Sequence, residues 1–371
     1  MQMFKEFNIN TIFKNKRVLV TGHTGFKGSW LSFWLRMLGA RVIGVSNMVP
    51  TNPSHYNLIK EIFYKDIRLN IKDQSKIQKL IVNEKPDFIF HLAAQPIVIE
   101  SYLNPIDTFQ TNILGSSNIL DALRISNHSC IAIMITSDKC YDNVEWPYGY
   151  RENDKLGGKD PYSASKGATE IVIRSYVESY FKNDNSNINI GIGRAGNVIG
   201  GGDWASNRIV PDCVKSWANN KKPLIRSPFS TRPWQHVLEP LSGYLTLAQE
   251  LLINNKLNGE AFNFGPPSYQ NHTVKELVDE ITKHWPGSKW NNGYNDEVKL
   301  HEAGLLKLNC DKSLQFLSWS STLNFKETAK WTSNWYKTFY NEDPGSASKM
   351  TEDQINNFMD LIKERNSFKL G

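Results

Sequence analysis

Eight residues near the start of the chain, Thr21-Gly22-His23-Thr24-Gly25-Phe26-Lys27-Gly28, constrain the fold more than any other stretch. An apolar run, Val18-Leu19-Val20, precedes them, and a run rich in Leu, Trp and Phe follows. The first reads as a buried parallel strand and the second as a helix over residues 29–38. A strand, a glycine-rich turn and a helix N-terminus form an anion site, because backbone N–H groups and the helix dipole converge on one point. The glycines divide the work. Gly22 makes the tight turn, Gly25 admits a pyrophosphate to the backbone, and Gly28 lets the helix pack closely on the sheet. The spacing is Gly-x-x-Gly-x-x-Gly rather than Gly-x-Gly-x-x-Gly, so the turn alone also fits a ligand-free corner.

Further short apolar runs predict strands at 42–45, 62–64, 88–91, 131–135 and 188–192, with helices at 73–83, 108–125 and 163–181 between them. Most of these runs lack polar alternation, as in a parallel sheet covered on both faces. The rhythm predicts an α/β fold with a doubly wound parallel sheet of the Rossmann type. It breaks at Gly200-Gly201-Gly202-Asp203, beyond which prolines and tryptophans multiply. Residues 14–200 are therefore assigned to a dinucleotide-binding domain. A return segment at about 233–268 belongs with it, in which Phe262-Asn263-Phe264 rejoins the sheet. Residues 201–232 and 269–340 are assigned to a smaller substrate-binding lobe that closes the pocket. Residues 342–348 read as a linker. In the tail, 341–371, Ile355, Phe358, Met359 and Ile362 fall at helical spacing, with Thr351 and Gln354 as a capping box.

Composition narrows the class. A chain of 371 residues with 40% hydrophobic content sustains a large core. No apolar run approaches the ~20 residues that span a bilayer, and the first ten residues lack the apolar centre of a signal peptide. A cytoplasmic protein with no membrane partner is expected. Cys130, Cys140, Cys213 and Cys310 are scattered without disulfide or zinc spacing, so reduced thiols and no metal are expected. The net charge of +6 suits an enzyme for anionic substrates. Without basic runs it does not indicate nucleic acid.

Two further motifs carry chemistry. Asp160-Pro161-Tyr162-Ser163-Ala164-Ser165-Lys166 sets Tyr162 and Lys166 four residues apart at a helix start, on one face. A free tyrosine, with a pKa of ~10, is a poor base at neutral pH. A neighbouring ammonium and a nicotinamide cation together favour the phenolate. The strand expected at 131–135 runs into Thr136-Ser137-Asp138-Lys139-Cys140-Tyr141, at the sheet edge where parallel folds collect their active sites. Ser137 can bond a sugar hydroxyl or a developing carbonyl. Asp138 and Lys139 are two ionisable groups beside it; a solvated turn with a surface ion pair is the alternative.

The glycine turn, Asn112, Ser137 and Tyr162-x-x-x-Lys166 together resemble the extended short-chain dehydrogenase/reductase (SDR) superfamily of nucleotide-sugar enzymes. HLAAQP, TSDKCYDN, GYREND, DPYSASK, RAGNVIGGGDWA and RPWQHVLEPLSGY spread over residues 14–340 and resemble its 4,6-dehydratases, in particular the branch acting on CDP-glucose. The resemblance implies a lyase. NAD accepts hydride from C4 while Tyr162 takes the O4 proton, with Ser137 sharing the hydrogen bond and Lys166 tuning Tyr162. Water then leaves across C5–C6 and hydride returns to C6, giving a 4-keto-6-deoxy sugar for deoxysugar and O-antigen polysaccharide synthesis. Asp138 is implied as the acid at O6, which calls for burial and a raised pKa. Where many such enzymes have glutamate, this chain has Lys139. Lys139 is the C5 base if neutral, or steadies an enolate as an ammonium.

The same resemblance implies a cofactor surface of Gly22, His23, Thr24, Gly25, Phe26, Lys27, Gly28, Leu92, Ala93, Ala94, Gln95, Asn112, Tyr162 and Lys166, with Asp66 and Arg68 as an adenine-contacting Asp-x-Arg. Val45-Ser46-Asn47 lacks a ribose-binding acid, so NAD over NADP rests on the resemblance and on a hydride that returns to its donor. Asn197, Arg208 and Arg232 match ligands of the substrate diphosphate, a task suited to paired guanidinium donors. His236, Trp204 and Trp234 read as core. A homodimer or homotetramer through helices 108–125 and 163–181 is implied. Three alternatives stay open: a 4-epimerase or reductase, which needs only Ser, Tyr and Lys; a dehydratase for another nucleotide hexose; and a non-catalytic dinucleotide sensor, which can dispense with Tyr162 and Lys166.

Overall fold

The computed structural model describes residues 9–126, 128–183, 186–293 and 305–367. Seven strands form one parallel sheet: β1 (Arg17–Thr21), β2 (Arg41–Ser46), β3 (Lys65–Arg68), β4 (Phe88–His91), β5 (Cys130–Ile135), β6 (Ile188–Ala195) and β7 (Ala261–Phe264). Their order is β7-β6-β5-β4-β1-β2-β3. The winding reverses between β1 and β4, which pair in register from Val18↔Phe88 to Thr21↔His91. The crevice beyond their carboxyl ends is where such a sheet opens.

Alternate residues face opposite sides of a strand. Val18, Val20, Phe88, Phe90, Ile131 and Ile133 enter one core, and Leu19, Ile89, Ala132 and Met134 enter the other. Both sides are apolar, which is why the runs are continuous. The first core is filled by α1 (Phe26–Met37) through Trp30, Leu31 and Trp34. The second is filled by α2 (Gln74–Glu84), α3 (Gly115–Ser126) and α4 (Pro161–Tyr176) through Ile77, Ile81, Ile119, Leu123 and Ile173. Apart from short helical segments, the other helices among the described residues are α5 (Ile209–Ala218), α6 (Leu238–Ile253), α7 (Val274–Thr282), α8 (Phe325–Asn341) and α9 (Pro344–Ser367).

Four local departures from the expected elements have physical causes. The strand expected at 62–64 lies at Lys65–Arg68, pairing Ile43↔Lys65; as an edge strand it is polar and gives no apolar run. Helix α1 starts at Phe26 rather than residue 29, because Gly25 occupies its N-cap and Gly28 sits inside the first turn. The helix expected at 108–125 begins as Pro105–Phe109 and widens to a π turn at Gln110–Leu114 before α3. Helix α4 starts at Pro161, where Asp160 Oδ1 accepts from Ser163 N at 2.9 Å, and it ends in a second π turn, Val177–Phe181.

The tail differs most. Helix α9 begins at Pro344, inside the stretch read as a linker. Thr351 and Gln354 are mid-helix rather than a cap: Thr351 Oγ1 accepts from Trp335 Nε1 at 2.9 Å, and Gln354 Nε2 donates to the Trp331 carbonyl at 2.9 Å. Ile355 and Phe358 are fully buried, with Phe358 edge-on to Trp34. The tail helix therefore completes the core on the α1 side of the sheet.

Past residue 200 the regular rhythm gives way to paired two-residue strands. Val198–Ile199 pairs with Gln235–His236, Leu224–Ile225 with Asn291–Asn292, and Thr231–Arg232 with His272–Thr273. Trp204 and His236 are buried in the core. Trp234 is also buried, yet it shares the wall of the crevice. Part of the stretch expected as lobe, 294–304, lies outside the described residues.

Candidate active site

The glycine turn is sterically closed to side chains. Gly22 has φ +73°, and a Cβ there would sit 2.8 Å from Ala93 N. A Cβ on Gly28 would collide with the Gly22 carbonyl, whereas one on Gly25 would lie 3.3 Å from the same oxygen. No side chain caps the N-terminus of α1, so its first N–H groups are left to an anion. Gly22, Thr24, Gly25, Phe26, Lys27 and Gly28 line one wall of the cleft, continued by Leu92, Ala93, Ala94 and Gln95. Thr24 ties this wall to the β2 loop by donating to the Met48 carbonyl at 2.6 Å.

Four expected cofactor residues do not line the cleft. His23 is fully buried, its Nε2 2.8 Å from Asp66 Oδ1 and its Nδ1 3.1 Å from Ser46 Oγ. Asp66 is engaged by Arg68 and by the hydroxyl of Tyr56 as well. This knot fixes the β3 edge, and burial holds the His23 imidazole below its ordinary pKa. Asn112, carried inward by the π turn, accepts from Gln95 N at 2.8 Å and donates to Ser165 Oγ at 2.8 Å. It clamps the loop after β4 to α4.

The opposite wall holds Ser137, Asp138, Lys139, Tyr162 and Lys166 together, with Asn197, Arg208 and Arg232 beyond them. The turn after β5 is fixed by a buried network that sequence reasoning did not single out. Glu170 on α4 pairs with Arg194 on β6 and accepts from Thr136 Oγ1 at 2.6 Å. Arg194 Nη1 also donates to Tyr141 Oη at 2.7 Å. The strand-end RAG within RAGNVIGGGDWA carries this arginine, but nothing in the stretch names its partners.

Within that frame Ser137 Oγ accepts from Lys139 N at 3.3 Å and donates to Asp138 Oδ1 at 2.9 Å. Asp138 is buried and its Oδ2 has no partner among the described residues. Burial pushes the Tyr162 phenol up to about 12, opposed by hydrogen bonding with Ser137 and reinforced by Asp138. Burial brings Lys166 down to about 8, with its Nζ 5.9 Å from the centre of the Tyr162 ring. Burial thus favours the neutral phenol in the cofactor-free cleft; the expected phenolate calls for the nicotinamide cation as well as Lys166.

Lys27 points across the cleft rather than along the glycine turn. Its Nζ lies 5.8 Å from the centre of the Tyr244 ring, and burial, then Lys166 and Arg208, lower its pKa to about 8. Arg208 is oriented by Asp203, with Nη1 to Oδ2 at 2.7 Å, and Arg226 joins the same wall. Asp203 was legible as part of GGGDWA but not as the arginine's partner. Lys27, Arg208, Arg226 and Arg232 give this end of the cleft a cationic face suited to a diphosphate.

The fold and the two-walled cleft define a protein of the extended SDR type. The chain belongs to the GDP-mannose 4,6 dehydratase family, whose sequence profile matches residues 19–332. It is 43% identical over 330 residues to the CDP-glucose 4,6-dehydratase of Salmonella typhimurium, covering 88% of this chain and 92% of that one. It is 25% identical over 289 residues to the CDP-paratose 2-epimerase of Salmonella typhi, covering 70% and 82%. Among solved structures, the dTDP-glucose 4,6-dehydratase of Bacillus anthracis in complex with NAD shares the fold with a TM-score of 0.72 at 20% identity, covering 89% of this chain and 99% of that one.

Proposed function

We propose that the protein is an NAD-dependent dehydratase that converts CDP-glucose to CDP-4-keto-6-deoxyglucose. The observation that carries this reading is Asp138 and Lys139 on the same cleft wall as Ser137, Tyr162 and Lys166. Oxidation at C4 alone needs the last three; an acid and a base for water loss are the surplus. The 43% identity to a CDP-glucose 4,6-dehydratase supports the same substrate.

The residues fit NAD. The glycine turn excludes a Cβ at Gly22 and Gly28 and leaves the backbone at Gly25 bare where a pyrophosphate must approach, and the uncapped first turn of α1 faces it. When bound, NAD would supply an acceptor for the C4 hydride and the same hydride for C6. Lys166 would hold the ribose hydroxyls and Tyr162 the O4 proton. Asn197, Arg208 and Arg232 would hold the diphosphate. Lys139 is assigned to remove the C5 proton, which becomes acidic once C4 is a ketone. Asp138 is assigned to protonate O6 as it leaves. The product would feed deoxysugar and surface-polysaccharide synthesis.

Exposed Ile106 and Leu114, on the segment leading into α3, and exposed Ile171 on α4 support self-association as a homodimer through these helices. Among the described residues no helix is long and apolar enough to cross a membrane, in keeping with a cytoplasmic site.

A panel of CDP-, dTDP-, GDP- and UDP-hexoses in deuterated water tests the reading. CDP-glucose should give the 4-keto-6-deoxy product with deuterium at C5 and no net reduced nicotinamide. An inverted hydroxyl without dehydration, or no keto product from any donor, would overturn it.

A further inference from the structure

The dehydration just described, on which this inference rests, has two halves served by different residues. Oxidation at C4 uses Ser137, Tyr162 and Lys166; water loss uses Asp138 and Lys139. The two sets hang from different supports. Tyr162 and Lys166 ride on α4, where Tyr162 N donates to Ser101 Oγ at 3.2 Å. Ser137 follows β5 and is steadied by its neighbour Thr136, whose N–H donates to the Gly193 carbonyl at 3.0 Å and whose hydroxyl donates to Glu170 at 2.6 Å. Asp138 and Lys139 instead lie in one short helical turn, Asp138–Cys140, which Tyr141 closes.

Tyr141 is what returns that turn to the sheet. Its backbone bridges Leu156, in the loop that leads to α4, and so gives no fixed point on a strand. Its side chain does. Tyr141 Oη accepts from Arg194 Nη1 on β6 and donates to Asn263 Oδ1 on β7, both at 2.7 Å. Both anchors are themselves held. Arg194 pairs with Glu170, and Asn263 Nδ2 donates to the Tyr150 and Asn309 carbonyls at 2.9 and 3.0 Å. The ring is stacked on Tyr150 with centroids 5.1 Å apart. The hydroxyl spends its one proton on Asn263, so it has none to give a sugar and acts only through the turn it holds.

We propose that Tyr141 is the positioning residue of the elimination half-reaction. Its hydroxyl, clamped between two strands, sets where Asp138 and Lys139 stand relative to O6 and C5, while oxidation runs on supports that do not pass through it. Acid and base must each lie within hydrogen-bond reach of the proton they move, and a misplacement of ~1 Å costs on the order of a hundredfold. Loss of the hydroxyl takes from Asn263 Oδ1 the donor it has among the described residues and frees that end of the turn.

Tyr141→Phe keeps the ring and its stacking and removes only this clamp. Single-turnover quench with CDP-glucose reads both halves on the same molecules, as 4-keto hexose with O6 retained and as 4-keto-6-deoxy product. The ratio is therefore independent of how much of the variant folds. Oxidation should stay within about threefold of wild type and water loss should fall about thirty- to a hundredfold, with KM for the sugar nucleotide changed less than about twofold. The absorbance of reduced nicotinamide should accordingly build up and outlast that of wild type. Tyr150→Phe is the control. It cuts the bonds of Tyr150 Oη to Val144 N and Asn143 Oδ1, at 2.8 and 3.0 Å, in the loop beside the turn. It leaves the Tyr141 hydroxyl with both partners, and its ratio should match wild type. Equal slowing of the two halves in Tyr141→Phe, or an unchanged ratio, would overturn the inference, as would the same fall in Tyr150→Phe. Absence of elimination by wild type on every donor would instead overturn the dehydratase reading.

Discussion

From Gly22 to Gln95 the cleft wall is backbone and mostly small side chains, whereas from Asp138 to Arg232 it is dominated by charged and aromatic groups held in place by other side chains. The first wall recognises mainly by shape: its glycines leave room for a ligand, and Lys27 is the exception, a cation whose charge depends on burial as in the second wall. The second acts by chemistry, and its groups depend on burial. Tyr162 and Lys166 are displaced from their ordinary pKa values in opposite directions by the same desolvation. A steric change should therefore damage the first wall, and a single-atom change the second.

The sharpest break is Tyr162→Phe. It removes one oxygen from the chemical wall and leaves the packing, so the cofactor should bind as before while C4 oxidation falls by about a thousandfold or more. Titration of NAD and single-turnover hydride transfer separate the two. A parallel loss of cofactor affinity would erase the distinction between the walls.

Both walls rest on histidines kept neutral by burial. His91 joins Thr21 of β1, at 2.8 Å, to Ser116 of α3. His55 joins Ser29 of α1 to Thr351 of α9, and His236 is edge-on to Trp30 and Trp331. Burial pushes each of the three down to about 3. The unfolded chain takes up these protons near ~6.5. Stability from neutral histidines is thus complete above that pH and lost as pH falls from there toward 3. Each should contribute roughly 1 kcal/mol per pH unit over that window. Denaturant unfolding at successive pH values should show the decline, and replacing His55 with Gln should flatten it by roughly 1 kcal/mol per pH unit. An unchanged slope in that variant would remove His55 from the account.

Inside the glycine turn the comparison can be made one methyl group at a time. A Cβ on Gly28 forces α1 away from the Gly22 carbonyl, so Gly28→Ala should cost about 1–3 kcal/mol of stability together with NAD affinity. Gly25 is in an extended conformation, with 3.3 Å available to the same oxygen. Gly25→Ala should leave stability within about 1 kcal/mol and weaken NAD alone. Thermal unfolding beside cofactor titration tells the two apart.

The same division decides what could be read from the chain. β1, β2, β4 and β5 were legible because both their faces are buried and their runs carry no polar alternation, and β6 through its alternate isoleucines, Ile188, Ile190 and Ile192. β3 was misplaced because an exposed edge strand has no such run. Tyr162, Lys166 and Ser137 were legible as local motifs at a strand end and a helix start. The partners that fix them were not, since Glu170 to Arg194, and Thr351 to Trp335 and His55, close across the fold between residues that sequence spacing does not relate. His23, Asp66 and Arg68 show the converse: residue type and strand position singled them out, but not that their side chains engage one another.

The smallest effect concerns the tail helix, which touches neither wall. Thr351 Oγ1 faces His55 Nε2 at 3.0 Å, accepts from Trp335 Nε1 at 2.9 Å and donates to Ala347 O at 3.0 Å. The Trp335 ring packs so closely on Gly201 that no Cβ fits there, and Gly201 leads directly into Asp203, the residue that orients Arg208. Thr351→Val keeps the volume and removes the hydroxyl, leaving the Trp335 N–H and His55 Nε2 without their partner in the core. It should cost about 1–2 kcal/mol in denaturant unfolding. Because Tyr336 also holds Asp203, accepting from its backbone N–H at 3.1 Å, Arg208 should stay in place and the KM for the sugar nucleotide should change less than about twofold. A larger change would mean that the tail helix sets the position of the chemical wall through Trp335, and that the wall's supports extend to the end of the chain.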